Sequence, residues 1–380
     1  MEQELNRIRV LAENTSDAQR RKLVDDLRDL MISLETSDDT LERIVRAPFE
    51  LDGAKIGVNL GIFKILSQGD ESLNAETLAK TTGADPALLG RLLRYLASVR
   101  MIAEVGTNTF AKNNVTRALA SEKGENYIDV FYEMVIPTIH ELPRFLKKTG
   151  YRNPEDRYSL PLQDAFNWKG DLFSFFKADP YRQALFNKHM QVQRGSITNW
   201  QTMTTLLKTN QSPDAVLLVD IGGGVGHQCE RLRACCPGIQ GQIILQDLPE
   251  VIKDALSIPG VEVVAHNIFE PQPIRGAKFY YIRGVLHDFS NKQCTKILCG
   301  IAGAMEADSA LLVDEMILPD GNIHWQATGM DLQMMANHGS QERTRSNWVE
   351  LLESAGLELK EVLYHGLDAY QGLIVAVKAA

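Results

Sequence analysis

The chain has 380 residues, enough for two domains and a large buried core. Its formal net charge of −9 speaks against nucleic acid as a main partner, because phosphate binding needs a basic face. No apolar run reaches the ~18 residues a membrane span needs, and the opening MEQELNRIRV carries charge where a secretory signal needs an apolar stretch.

The first 120 residues read as mainly helical. Leu23, Leu27, Leu30 and Leu34 recur at spacings of four, three and four, the apolar stripe of an amphipathic helix. PFELDGAKIGVNLGIFKIL, residues 48–66, is too apolar to leave in water and too short to span a membrane. It is expected to pack against a second copy of itself or a neighbouring domain. Two short helices follow, divided at Gly83, with Asp85 as N-cap and Pro86 in the first helical position of the second. A hairpin comes next: MIAEV, a turn at Gly106-Thr107-Asn108, then TFAKN. Helix–turn–helix plus wing describes a winged helix, which raises DNA binding as a rival function. The second helix, however, offers Leu88, Leu89, Leu92, Leu93 and Leu96 where a recognition helix presents polar groups to base edges.

Residues 121–210 read as a helical linker and pocket region. Its aromatics gather at Phe166, Trp168, Phe173, Phe175, Phe176, Tyr181 and Phe186; most are expected in the core, and some are candidates to line a pocket for a planar ligand. From 211 to the end the pattern changes. VLLVDIG, GQIILQD, VEVVAHN, KFYYIRG and ALLVDEM are short apolar runs separated by helical stretches, the mark of a parallel sheet covered on both faces. LELKEVLYH and GLIVAVKA lie too close together for a crossover helix and are expected to pair antiparallel at one edge. The fold class is α/β, an open doubly wound Rossmann-like sheet that binds ligands beyond its strand ends. Cys229, Cys235, Cys236, Cys294 and Cys299 lack any CxxC spacing and read as packed thiols in a reducing compartment, the cytoplasm.

VDIGGGVGH, residues 219–227, closes the first of these strands on glycines at 222, 223, 224 and 226. Glycine permits a tight strand-to-helix turn and close approach of a ligand to the backbone. A dinucleotide fingerprint wants GxGxxG, but the sixth position from Gly222 is His227, so a pyrophosphate is not expected. Asp247 ends the second strand, where an acid accepts hydrogen bonds from two ribose hydroxyls. A nucleoside without pyrophosphate satisfies both observations, and S-adenosylmethionine is the common one. RGVLHDFS, residues 283–290, delivers His287 and Asp288 together at another strand exit. These residues suit a plain polar turn, helped by a Ser290–Gln293 capping box, and equally a general base at the rim of a cofactor pocket.

In this order VDIGGGVGH, LQDLP, IRGVLHDFS, LVDEMILPDG and GSQERT resemble the motifs of the plant-type and fungal small-molecule O-methyltransferases. The resemblance covers nearly all of the chain after the first 40 residues, including the family's N-terminal winged-helix dimerisation domain. It implies S-adenosyl-L-methionine as cofactor, a homodimer, and His287 as the base that deprotonates a substrate hydroxyl, with Glu315 and Glu342 as the carboxylates beside it. A phenol with a pKa near 10 is a poor nucleophile until its proton leaves, and an imidazole can take that proton. The resemblance further implies cofactor contacts at Gly222, Gly223, Gly224, Asp247, Asn267, Ile268 and Arg283. Arg283 stands where many members have lysine. Asn267 stands where an Asp is usual, and an amide oxygen still accepts from an adenine amino group. Phe186, Met190 and Met334 match apolar substrate positions, and Arg194 and His338 are polar candidates near them. No acidic metal cluster is legible. The expected partner is a small aromatic or polyketide-like molecule, with no nucleic acid and no membrane. The rival reading is a fungal pericyclase or dehydratase that keeps the cofactor as a fixed cation without transferring methyl.

Overall fold

Polar caps set the boundaries of the N-terminal helices. Ser16 and Thr36 form capping boxes with Gln19 and Asp39, starting helices at Asp17–Ser33 and Ser37–Asn59 after a first helix at Glu2–Glu13. A computed structural model describes residues 2–193, 212, 214–364 and 370–379. They form two compact units, one from residues 1–136 and 179–193, the other from 137–178 and 194–380. Among the described residues no helix is long and apolar enough to cross a membrane.

In the first unit the leucine stripe is helical as expected but meets no core: neither of the first two helices buries a residue, and Leu30 and Leu34 are exposed. The 48–66 segment divides. Pro48 lies inside the long helix rather than at its start. Ala54, Ile62, Phe63 and Leu66 are buried, the last three with Leu78, Leu89, Leu93, Leu96 and Phe110 in the unit's own core, while Phe49 and Ile56 stay exposed. The expectation that the whole segment packs elsewhere is therefore corrected, because its second half closes the core of its own unit. Asp85 caps Leu88 N–H at the start of Pro86–Ser98, and three strands, β1 (Leu73–Asn74), β2 (Ala103–Gly106) and β3 (Thr109–Ala111), pair antiparallel in the order β1-β3-β2 to make the wing. Lys55 is nearly buried, and Asp129 at 2.7 Å and Glu133 at 2.8 Å compensate its charge.

The second unit is built on a sheet of β4 (Val216–Ile221), β5 (Gln242–Asp247), β6 (Val261–Ala265), β7 (Phe279–Arg283), β8 (Ala310–Leu318), β10 (Leu357–Tyr364) and β11 (Gln371–Lys378). The spatial order is β10-β11-β8-β7-β4-β5-β6, and a short β9 (Arg343–Thr344) pairs with the end of β8. β4 to β8 run parallel; β11 is antiparallel to both β8 and β10, the edge pairing anticipated from the short connection. Side chains alternate between two cores. Val219, Ile221, Tyr280, Ile282, Leu311 and Val313 face one side, and Leu218, Ile243, Leu245, Phe279, Tyr281 and Leu312 face the other. Strand order reverses between β4 and β7, the switch point beyond which doubly wound sheets hold ligands. Cys229 and Cys294 are packed as anticipated, whereas Cys235 and Cys299 are exposed; all five thiols are free.

Gly57 shows how tight the first core is. A Cβ there would come within 2.5 Å of the Phe63 ring, which is 1 % exposed and has no room to yield. Gly57→Ala gains ~1 kcal/mol of helix propensity and is nonetheless expected to lower stability by about 1–3 kcal/mol through overpacking. The denaturation midpoint, compared with that of the parent chain, checks the sign.

Candidate active site

Beyond β4 the chain turns on glycines in the left-handed region, Gly222 at φ 68°, Gly224 at 63° and Gly226 at 97°. The turn is pressed onto the sheet. Gly222 and Gly223 N–H donate to the Gln246 carbonyl, and a Cβ on Gly223 would stand 2.5 Å from Leu245 and 2.6 Å from the Asp220 carboxylate. Only a glycine backbone fits this bend. Asp247, at the end of the neighbouring β5, receives Gly224 N–H at 2.8 Å on one carboxylate oxygen and Leu248 N–H at 2.7 Å on the other. Those bonds fix the carboxylate and leave acceptor capacity on both oxygens, which fits the ribose of S-adenosylmethionine. Asn267 is exposed, and its Oδ1 accepts from Phe269 N–H, while Ile268 packs against the core. Arg283 at the end of β7 places Nε 3.3 Å from Asp314 on β8, and the same Asp314 oxygen accepts from Tyr281.

His287 sits in a single 3₁₀ turn, Leu286–Asp288, that leaves β7. Adjacent strands hold this turn from both ends. Glu315 of β8 accepts the Val285 and Leu286 N–H groups on one carboxylate oxygen, each at 2.9 Å. Arg343 of β9, fully buried, donates to the carbonyls of Leu286 at 3.0 Å and Phe289 at 2.9 Å, and its guanidinium lies 5.3 Å over the Trp348 ring. The residue before it, Glu342, brings Oε1 to 2.9 Å from His287 Nδ1. The pairing of β9 with β8 thus delivers a carboxylate to the ring and a guanidinium to the backbone of one turn. Ser290 and Gln293 form the anticipated capping box of the next helix, Asn291–Ala304.

Asp288 Oδ1 lies 3.7 Å from His287 Nε2 and 3.4 Å from His338 Nδ1. His338 ends the helix Trp325–His338, one turn after the buried Met334, and its ring meets Phe173 edge-on at 6.0 Å. Arg157 stacks its guanidinium near both Phe173 and Phe289 and pairs with Asp171 at 2.8 Å. Burial pulls the His287 pKa down, but Glu315, Glu342 and Asp288 together outweigh it and hold the value well above 6.5. Burial raises Glu315 to about 7 against the opposing pull of His287. His338 lies below the ordinary imidazole value because burial outweighs Asp288.

The second unit therefore brings His287, Glu315, Glu342 and His338 together around one turn, and Met334 is buried in the helix that ends at His338. Glu315 engages the backbone of that turn. Phe186 and Met190 are half-buried on the helix Pro180–Gln193 of the first unit, and Arg194 lies outside the described residues. Sequence reasoning missed Arg343, Arg157 and Asp314. Only Arg343 carried a signal, a cation directly beside the Glu342 of QERT.

Residues 153–358 match the O-methyltransferase domain and residues 54–122 the O-methyltransferase dimerisation domain. The chain is 75% identical over 378 residues to the O-methyltransferase ucdC of Aspergillus ustus, covering 100% of both chains. It is similar to the solved structure of LepI in complex with S-adenosylmethionine, with a TM-score of 0.88, 35% identity, and 98% and 97% of the two chains covered. A structure described as a pericyclic reaction enzyme is similar at a TM-score of 0.87, with the same identity and coverage. The chain belongs to the S-adenosyl-L-methionine-dependent O-methyltransferases, with that family's dimerisation domain preceding its catalytic one.

Proposed function

We propose that this enzyme methylates a hydroxyl of a small aromatic or polyketide-like natural product, with His287 as general base. The observation that carries the reading is the 2.9 Å contact between His287 Nδ1 and the buried Glu342 carboxylate. That contact fixes the ring tautomer, stabilises the imidazolium that forms, and leaves Nε2 to take the hydroxyl proton. Glu315 and Arg343 serve by holding the turn in which the base sits. On the cofactor side Gly222, Gly223, Gly224, Asp247, Asn267, Ile268 and Arg283 are the residues to hold S-adenosylmethionine, whose sulfonium supplies an activated methyl group. Near the base Met334 and His338 are candidates for acceptor contacts, joined by Phe186, Met190 and Arg194 from the resemblance.

A second reading has its own support. The similar pericyclic enzyme belongs to the same architecture, and three carboxylates around His287 favour its cationic form, which suits a hydrogen-bond donor or fixed charge better than a base. Product stoichiometry separates the two: the transferase forms one S-adenosylhomocysteine per product molecule, and the pericyclase or dehydratase forms none. We also take the working enzyme to be a homodimer through its dimerisation domain; light scattering behind size exclusion should give twice the 42.4 kDa chain mass.

His287→Ala should cut methyl transfer by about 10²–10⁴-fold and leave S-adenosylmethionine affinity nearly unchanged by calorimetry. Full turnover in that variant would end the assignment. The pH profile follows from the sign of the shift. A base whose pKa is raised is lost to protonation as pH falls through that raised value, so the rate should climb along a limb centred above pH 6.5. A limb centred at or below 6.5, or one that persists in His287→Ala, would contradict the role.

A further inference from the structure

Glu342 reaches His287 from just outside the sheet. The ladder between β8 and β9 begins at Arg343, opposite Ile317, so the Glu342 N–H lies ahead of the pairing. A side chain takes it instead: Asp331 Oδ1 accepts this N–H at 2.8 Å. The residues on either side are tied elsewhere, since Gln341 Nε2 and Arg343 Nε both donate to Asn291 Oδ1 at 3.0 Å. Asp331 lies on the helix Trp325–His338, about two turns before His338, so one helix face carries both residues. It is half-buried, and burial raises its carboxyl above the ordinary value against the opposing pull of the Glu342 N–H. An acid kept where burial disfavours its charge draws attention to the bond it makes. A charge-assisted bond to a backbone N–H is about twice as strong as a neutral one.

We propose that Asp331 is a positioning residue for the base: by holding the Glu342 backbone it keeps that carboxylate at His287 Nδ1. The inference rests on the methyl-transfer reading above and deepens it, since Asp331 acts only through Glu342. A backbone displacement of about 1 Å at Glu342 takes its 2.9 Å contact with the ring out of hydrogen-bonding range. The Glu342 side chain, 2 % exposed, has little room to compensate. Facing His287 are Glu315 from β8, Glu342, Asp288 from its own turn and His338 from the helix; facing Asp331 are Glu342 and Arg343. Glu342 raises the His287 pKa both by its charge and by its hydrogen bond. Loosening that contact therefore moves the His287 titration midpoint down, toward 6.5.

The test needs no acceptor molecule. In the full chain labelled with ¹⁵N-histidine, an NMR titration reads the His287 midpoint directly. Asp331→Ala removes the acceptor and should lower that midpoint by about one pH unit. Asp331→Leu fills the space that alanine leaves and should lower it likewise, which covers the case that Asp331→Ala does not fold. Asp331→Asn removes the charge but keeps an amide oxygen for the Glu342 N–H, so it should lose less than half as much. Glu342→Gln should lower the midpoint by itself, and adding Asp331→Ala to it should lower it no further, because both changes remove one contact. An unchanged midpoint in folded Asp331→Ala or Asp331→Leu would overturn the role. So would a fall in Asp331→Asn as large as in Asp331→Ala, or falls that add in the double variant. Failure of the methyl-transfer reading would show separately, as absent S-adenosylhomocysteine in an enzyme whose His287 titration still follows this pattern.

Discussion

The site depends on a buried turn whose backbone is satisfied by charge. A chain leaving a central strand exposes N–H and C=O groups that no neighbouring strand can pair, and burying them without partners costs several kcal/mol in aggregate. Here Glu315 takes the two N–H groups at the start of the turn and Arg343 takes two carbonyls around its end. Neither residue is free to leave, since each is buried and would strand an unpaired charge. The imidazole is thereby carried on a turn anchored by groups that need not touch a substrate.

Sheet topology makes that arrangement possible. β7 and β8 are parallel neighbours, so Arg283 lies beside Asp314, and Glu315, one residue further along β8, meets the turn that leaves β7. β9 adds only two residues to the end of β8, yet its register sets Arg343 against Ile317 and so brings Glu342 to the His287 ring. The glycine turn after β4 and the carboxylate after β5 lie on the other side of the strand-order reversal. The residues proposed for cofactor and base consequently share one end of one sheet although more than a hundred residues separate Asp220 from Glu342.

How much of this was legible follows from what each feature needs. Strands and their parallel order were readable because buried strands are continuous apolar runs, and the last hairpin because its connection is short. The Asp85 cap and the Ser290–Gln293 box were readable because capping is local chemistry. The Arg343 clamp was not, because a fully buried arginine looks in sequence like any surface cation, and only the β8–β9 pairing makes it interior. Residues 48–66 were misjudged for a related reason: hydropathy reports that a face must be covered but not by what, and Phe63 found cover in its own unit under Gly57. Glu315 was located by resemblance, but its bond to the backbone, rather than to the ring, is a fact of register.

The same turn bears on both readings proposed for this chain, since a similar architecture occurs in an O-methyltransferase family and in a protein described as a pericyclic reaction enzyme. Glu342 holds Nδ1, so the two proposed readings of this chain turn on the occupancy of a single atom, Nε2. With three carboxylates near it, the ring favours its proton, and a positive charge beside it opposes that preference. A sulfonium cation close to the ring acts in that second direction, whereas its neutral thioether product does not. On the proposed methyl-transfer reading, a base at His287 would be most available with the methyl donor close by and least available after transfer. Weakening that opposition, by placing the cation farther off or by replacing the imidazole with a permanently charged group, would leave a donor where a base had been.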